Sequence, residues 1–364
     1  MNATTAVLTS FSEPLALQTI PVPILESGQV LVQVEAAGIC GSDVHMWRGL
    51  DPRTPLPIIL GHEGVGRVLE CNGDRADIHG QALVPGQRVL WERGVSCGQC
   101  YYCAVLHEPS LCPNRWAYGI HHSMQIPPHL NGCYATHLVL DARTPLIPLA
   151  ENDDPATFVA ASCSGATAAH GFCQVQVYPG DTVVIYGPGP LGAFATALAR
   201  VGGAEQVIVI GGSPDRLAIC RALGATVLLN RLEVSAEQQH AAVYDQTHGR
   251  GADLVVEAAG SVPAAREGLD MLRAGGTLLL MGMGTPAGEM SLPPFEAIVR
   301  KNVRIQGVWV SDARHTLQAI SLVRQHPAAF AALVTHRFSL QQATEALQAV
   351  ATREALKAVL LPWS

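Results

Sequence analysis

Hydrophobic and polar positions are arranged differently in two parts of this chain. In the first part they form short alternating runs. Val30 to Ala37 (VLVQVEAA) predicts a strand, as do Gly64 to Glu70 (GVGRVLE) and Gln87 to Glu92 (QRVLWE). Gly- and Pro-rich turn signals separate them, the texture of a β-rich, barrel-like domain. Near Asp153 the pattern changes. Ala156 to Val175 is Ala-rich with helical spacing, and Thr182 to Tyr186 (TVVIY) is a short apolar strand. A helix at Leu191 to Val201, a strand at Gln206 to Ile210, a helix at Arg216 to Leu223 and a strand at Thr226 to Leu229 follow. Ala252 to Glu257 and Gly276 to Met281 repeat the strand signal. Strands alternating with helices imply a parallel sheet covered on both faces. The tail reads as a return to the first texture: a strand at Val303 to Val310, helices at His315 to Gln325 and Leu340 to Ala351, and a last strand at Leu356 to Leu361. The predicted fold class is α/β, with residues 153–305 a doubly wound domain inserted into a β-rich domain made of 1–152 and 306–364.

Composition narrows the class. The 364 residues are 48% hydrophobic and 15% charged, enough for two buried cores and too apolar for disorder. The net charge is −7 and the pI is near 6.0, with no long basic run, so neither a nucleic-acid nor a membrane partner is expected. The first residues, MNATTAVLTSFSEP, lack a basic region followed by an apolar one, and the longest apolar stretches are interrupted early. A soluble, cytoplasmic protein is the expectation. Four of the ten cysteines, Cys97, Cys100, Cys103 and Cys112, crowd one short segment, which reads as metal binding in a reducing compartment.

The first chemical motif follows the strand ending at Tyr186. Gly187-Pro188-Gly189-Pro190-Leu191-Gly192 opens a helix and matches the G-x-G-x-x-G dinucleotide pattern in its strand–turn–helix context. Gly187 permits the tight turn, Gly189 lets a pyrophosphate approach the backbone, and Gly192 lets the helix pack on the strand. An acidic residue that would bind the adenosine ribose is expected about 20 residues on. The next strand instead ends in Gly211-Gly212-Ser213. Ser213, Arg216 and Arg231 are near enough in sequence to serve a 2′-phosphate. The cofactor is therefore NAD or NADP, with a slight tilt toward tolerance of NADP.

Two metal sets can be read. Cys97, Cys100, Cys103 and Cys112 offer the four thiolates of a closed structural zinc site. The second set is dispersed over GICGSDVH (38–45), GHEGVG (61–66) and SCSG (162–165). Cys40, His62 and Cys163 make a two-thiolate, one-imidazole set, which leaves a zinc one open position for water or substrate. Taken singly, a buried Cys is usually a small inert hydrophobe, the reading that suits Cys71, Cys133, Cys173 and Cys220.

In that combination and order, these motifs resemble the medium-chain, zinc-dependent alcohol dehydrogenase family, over essentially the whole chain. The resemblance implies a GroES-like catalytic domain split around a Rossmann domain, and two zinc ions per chain. It implies that Cys40, His62 and Cys163 hold the catalytic zinc, with Glu63 as a possible exchange ligand. It also implies a proton relay through Ser42 and His45, a position beside the nicotinamide for Thr167, and a pyrophosphate contact for Lys357. Asp43 is expected to orient the metal shell. The spacing from Cys103 to Cys112 is one residue longer than usual, so a small bulge is expected. Branch features are mixed, because Cys163 fits the alcohol dehydrogenases whereas CGSDVHMWRG is nearer the polyol dehydrogenases.

The implied substrate is a small alcohol or carbonyl compound, foremost a secondary alcohol, cyclic or polyol-like. Met46, Trp47, Trp91, Arg93 and Trp309 are candidates for its cleft, and Arg93 suggests an anionic group instead. An NADPH-dependent aldehyde reductase and a non-catalytic zinc-bearing member are the alternatives. The resemblance also suggests a homodimer or homotetramer.

Overall fold

The computed structural model describes residues 1–364. The chain forms two compact units. The first comprises residues 1–163, 311–323 and 334–364; the second comprises 164–310 and 324–333.

The first unit is built mainly on antiparallel sheet, with one parallel pair, Val334–Ser339 and Lys357–Leu361. Its main sheet runs in the order Leu146–Pro148, Arg88–Trp91, Glu63–Cys71, Val30–Ile39, Lys357–Leu361, Val334–Ser339, and His137–Leu140 also pairs with Val30–Ile39. Ala16–Pro21, Asn2–Leu8 and Ile58–Ile59 form a smaller sheet. Val30, Val32, Val34, Val68, Trp91 and Leu138 belong to its apolar core. Two registers matter for chemistry: Gly38 lies opposite Glu63, and Ile39 lies opposite Ala358. The C-terminal strand therefore delivers Lys357 to the same end of the sheet as Gly38 and Glu63.

The second unit carries six strands in the order Val227–Asn230, Gln206–Gly211, Thr182–Tyr186, Ala252–Glu257, Leu272–Leu280, Arg304–Gly307, each pairing parallel with its neighbour. In chain order this is 3-2-1-4-5-6, the doubly wound arrangement. Thr182–Tyr186 and Ala252–Glu257 are buried throughout, as a parallel sheet covered on both faces requires.

Three sequence expectations are corrected. The Ala-rich stretch from Ala156 is not one helix: Pro155–Phe158, a tighter turn at Val159–Ser162 and Ser164–Gln174 are separated at Cys163, whose backbone (φ −124°, ψ −79°) leaves the helix. The strand expected at Val303 to Val310 is Arg304–Gly307, and it ends the parallel sheet rather than rejoining the β-rich unit. Residues 324–333 also return to the second unit, where Phe330 packs on Phe194 with ring centroids 4.4 Å apart.

Candidate active site and zinc centres

The short helix Gly41–Trp47 begins at Cys40, straight after the strand Val30–Ile39. Asp43 accepts a hydrogen bond from the Cys40 backbone N–H through Oδ2 at 2.7 Å. Its other oxygen lies 3.1 Å from His62 Nδ1. One fully buried carboxylate thus closes the helix start and sets the imidazole, so that Nε2 faces the cysteines. Ser42 Oγ lies 3.5 Å from that Nε2. His45, three residues further along the same helix, shares the face of Ser42 and is half-buried.

One ligand atom each from Cys40, His62, Glu63 and Cys163 lies within 4.8 Å of the others. The two sulfurs are 4.0 Å apart, close to the separation set by two Zn–S bonds of about 2.3 Å in a tetrahedron. Cys163 reaches the cluster because the helix is interrupted there; a continuous helix would have carried its side chain along the regular spiral.

Glu63 is buried and paired with Lys357, which is 2% exposed and also donates to Ile39 O at 3.0 Å. The second oxygen of Glu63, Oε1, is buried without a partner. A Cβ on Gly38 would stand 2.2 Å from Glu63 Oε2 and 3.1 Å from Lys357 Nζ, so only glycine leaves room for the pair. Lys357, expected at the pyrophosphate, therefore has its ammonium turned into the first unit.

Arg93 and Glu92 complete the surroundings. Arg93 is buried, and its Nη1 donates to Cys163 Sγ. Glu92 accepts from Thr316 Oγ1 at 3.0 Å and pairs with Arg115 at 3.4 Å. Burial pushes the Glu92 carboxyl up, against the pull of Arg115 and Arg93. The residues fit a divalent metal on two counts. When ionised, Cys40, Cys163, Asp43, Glu63 and Glu92 carry two more charges than Lys357, Arg93 and Arg115 offset, and a buried excess of that kind needs a cation. The partnerless Glu63 Oε1 lies in the same cluster. Without a metal, the Cys163 thiol, with help from His62 and Lys357, holds Cys40 well below the usual thiol range. The hydrogen bond to Cys40 and burial push Cys163 up. Burial works against protonated His62, yet Asp43 outweighs it and carries His62 up to about 10.

The second cluster is Cys97, Cys100, Cys103 and Cys112, whose sulfurs also lie within 4.8 Å of one another. Backbone N–H groups of Gln99 and Cys100 lower Cys97 to about 6, while burial raises Cys103 to about 12. The longer last spacing is taken up by His107 in the left-handed region (φ 55°) and a tight turn at Pro109–Leu111 that leads into Cys112.

In the second unit, Gly187 has φ 97°, and the helix Pro190–Val201 starts directly after Gly189. A Cβ on Gly192 would meet Gly187 O at 1.9 Å, the close approach of helix and turn that a pyrophosphate loop needs. Pro190 and Leu191 open that helix, and the free backbone N–H groups of its first turn after Pro190, which has none, suit an anion. Thr167 is half-buried on Ser164–Gln174, and Ser213 stands at the start of the helix Pro214–Ala222, with Arg216 in its first turn. A Cβ on Gly211 would strike Pro188 Cδ at 2.3 Å, and one on Gly212 would lie 3.3 Å from Arg231 Nε. Of the cleft candidates, Met46, Trp47 and Trp91 are core: Trp47 donates to Glu13 O, and the Trp91 ring fills the space over Gly64. Trp309 is 46% exposed.

Sequence reasoning missed the pairing of Lys357 with Glu63 and the reach of Arg93 to Cys163. The only trace of the first in the sequence is the glycine at position 38, which leaves room for the pair; nothing marks the second.

A doubly wound dinucleotide unit, a β-rich unit holding an open Cys–His–Cys set beside a glutamate, and a closed four-cysteine loop define a zinc-dependent, nicotinamide-dependent dehydrogenase. Residues 26–151 match the alcohol dehydrogenase GroES-like domain, and residues 190–325 match the zinc-binding dehydrogenase domain. The chain is 33% identical to 5-exo-hydroxycamphor dehydrogenase of Pseudomonas putida, over 94% of this chain and 95% of that one. It is 30% identical to sorbitol dehydrogenase of Halalkalibacterium halodurans, over 95% of each. Among solved structures, an alcohol dehydrogenase of Thermotoga maritima is 46% identical with a TM-score of 0.96, over 99% of both chains. A zinc-binding dehydrogenase of Sinorhizobium meliloti with NADP bound is 25% identical with a TM-score of 0.85, over 100% of both. The chain belongs to the medium-chain, zinc-dependent alcohol dehydrogenase family and is an oxidoreductase that uses zinc and NAD or NADP. No helix is long and apolar enough to cross a membrane.

Proposed function

We propose that this enzyme reversibly oxidises a secondary alcohol, cyclic or polyol-like, to its ketone, with Cys40, His62 and Cys163 as catalytic zinc ligands. The convergence of those three ligand atoms with Glu63, in a buried cluster short of two positive charges, carries the proposal. Zinc held there would polarise the alcohol hydroxyl and favour its ionised form, and the nicotinamide would take the hydride. The chain's own groups do the rest. Asp43 fixes the His62 tautomer, Lys357 holds Glu63, and Ser42 stands beside the ligand set to take the hydroxyl proton. His45 follows on the same helical face and would pass that proton onward. Cys97, Cys100, Cys103 and Cys112 hold a structural zinc.

The relatives support the substrate class, since hydroxycamphor is a bridged cyclic secondary alcohol and sorbitol a polyol. For the cofactor, Gly211 brings no carboxylate, Arg231 stands beside Gly212, and Ser213 heads a helix, a set that accepts a 2′-phosphate; NADP is used. Thr167 serves the nicotinamide side, and Gly187, Gly189, Pro190, Leu191 and Gly192 the pyrophosphate. We further infer a dimer or tetramer, because the last strand of the parallel sheet, Arg304–Gly307, has an open edge with Ile305 40% exposed, a form that edge pairing between copies would cover. A four-thiolate metal site at Cys97, Cys100, Cys103 and Cys112 suits a reducing, cytoplasmic setting. The test is kcat/KM for cyclic alcohols, polyols and aldehydes with NAD and with NADP. Turnover of cyclic or polyol secondary alcohols is the expected result, and activity confined to aldehydes with NADPH would overturn the substrate class.

A further inference from the structure

Arg93 has no part in the roles assigned above, yet it touches a proposed ligand from outside the ligand set. It lies between the strands Arg88–Trp91 and Gly94–Val95, is 7% exposed, and directs Nη1 at Cys163 Sγ. Behind it Glu92 is anchored by Thr316 Oγ1, by the Gly94 N–H and by Arg115. A Cβ on Gly94 would collide with the Arg115 guanidinium at 1.8 Å, so the turn that aims Arg93 is itself tightly filled. A guanidinium is charged under all working conditions and donates through a rigid planar fork. Burying one is unfavourable unless it meets negative charge, and here that charge is a sulfur at the interrupted helix.

We propose that Arg93 is a positioning residue of the catalytic zinc centre, which fixes Cys163 Sγ by a charge-assisted hydrogen bond and draws electron density from it. A sulfur that accepts a hydrogen bond from an N–H gives less charge to a bound metal, which leaves the metal better able to polarise the substrate hydroxyl. The bond also sets the side-chain direction of Cys163, which has no regular helix to hold it. This rests on Cys163 being a ligand. The competing use of such an arginine, contact with a carboxylate or phosphonate on the substrate, predicts different behaviour and is separated by the same experiment.

The experiment compares the parent full chain with Arg93→Met and Arg93→Lys, each loaded with zinc and, separately, with cobalt(II). Loss of the donor should shift the thiolate-to-cobalt absorption of the catalytic site, weaken its metal by ~10–100-fold in chelator competition, and move the kcat profile for a neutral alcohol to higher pH. Arg93→Lys keeps the charge without the fork and should fall between parent and Arg93→Met; it decides the matter if the Met variant does not fold. A parental cobalt spectrum, metal affinity and pH profile in the folded variants would overturn the proposal. So would a change confined to a higher KM for anionic alcohols, which would make Arg93 a substrate contact. Failure of the underlying ligand assignment looks different: Cys163→Ser would then keep both zinc ions.

Discussion

Replacing Lys357 with Met removes the cation from a pair buried on all sides. Glu63 is fully buried and Lys357 is 2% exposed, so water cannot screen the carboxylate that is left behind. Breaking such a pair from one side costs roughly 3–5 kcal/mol. For a domain of this size each kcal/mol lowers Tm by about 2–4 °C, so a fall on the order of 10 °C is expected. Burial pushes the Glu63 carboxyl above its ordinary value, and Lys357 opposes that push. Without Lys357 the carboxyl rises further. A group whose folded pKa exceeds its unfolded one is relieved by protonation, so the defect should be smaller near pH 6 and grow toward pH 8.5. The double variant Lys357→Met with Glu63→Gln removes both charges and should recover most of the loss. Calorimetry on the two single variants, the double variant and the parent, with zinc content matched, closes the cycle. A Lys357→Met variant within about 0.5 kcal/mol of the parent, or a double variant showing the sum of the single losses, would refute the buried-pair reasoning. The KM for NAD and NADP in the same variants shows whether Lys357 also serves the pyrophosphate.

Two more predictions concern the cofactor and the metal. Gly211→Asp alone should fold poorly and not raise NAD preference, because its Cβ meets the Pro188 ring at 2.3 Å; adding Pro188→Ala should make room and shift kcat/KM from NADP toward NAD, and an unhindered shift in the single variant would contradict this. Zinc binding at the Cys40 site must displace the Nε2 proton of His62, whose imidazolium the Asp43 carboxylate on Nδ1 stabilises to a pKa of about 10. Affinity should therefore rise by about tenfold per pH unit between pH 6 and 9 from this group alone, and a flat profile in competition titrations would show that His62 is not a ligand.

Periodicity made the second unit legible. Its strands are short apolar runs between helices, and Thr182–Tyr186 and Ala252–Glu257 coincide with the expected spans. The antiparallel unit was harder to read. Its strand Val334–Ser339 (VTHRFS) is partly exposed and polar, and its pattern marks no element until Lys357–Leu361 pairs with it. The Ala-rich stretch after Asp154 reads as a single helix because alanine favours helix everywhere, and no residue type in it marks the interruption at Cys163. The strand Arg304–Gly307 was assigned to the wrong unit because an exposed edge strand looks alike in either sheet. At the site, ligands with motif spacing could be picked out, whereas partners that depend on register could not. Lys357 and Arg93 acquire their contacts only when segments far apart in sequence lie side by side. Trp91 illustrates the converse, since an aromatic next to the site in sequence turned out to pack over Gly64.

The central claim is one open and one closed zinc site, with Cys163 completing the open one. Elemental analysis of the purified full chain, its Cys163→Ser variant and its Cys97→Ser variant tests it most directly. About two zinc ions per parent chain are expected, and about one in Cys163→Ser, with the Cys97 loop still loaded and alcohol turnover abolished. A Cys163→Ser variant that keeps two zinc ions and parental turnover would contradict the claim.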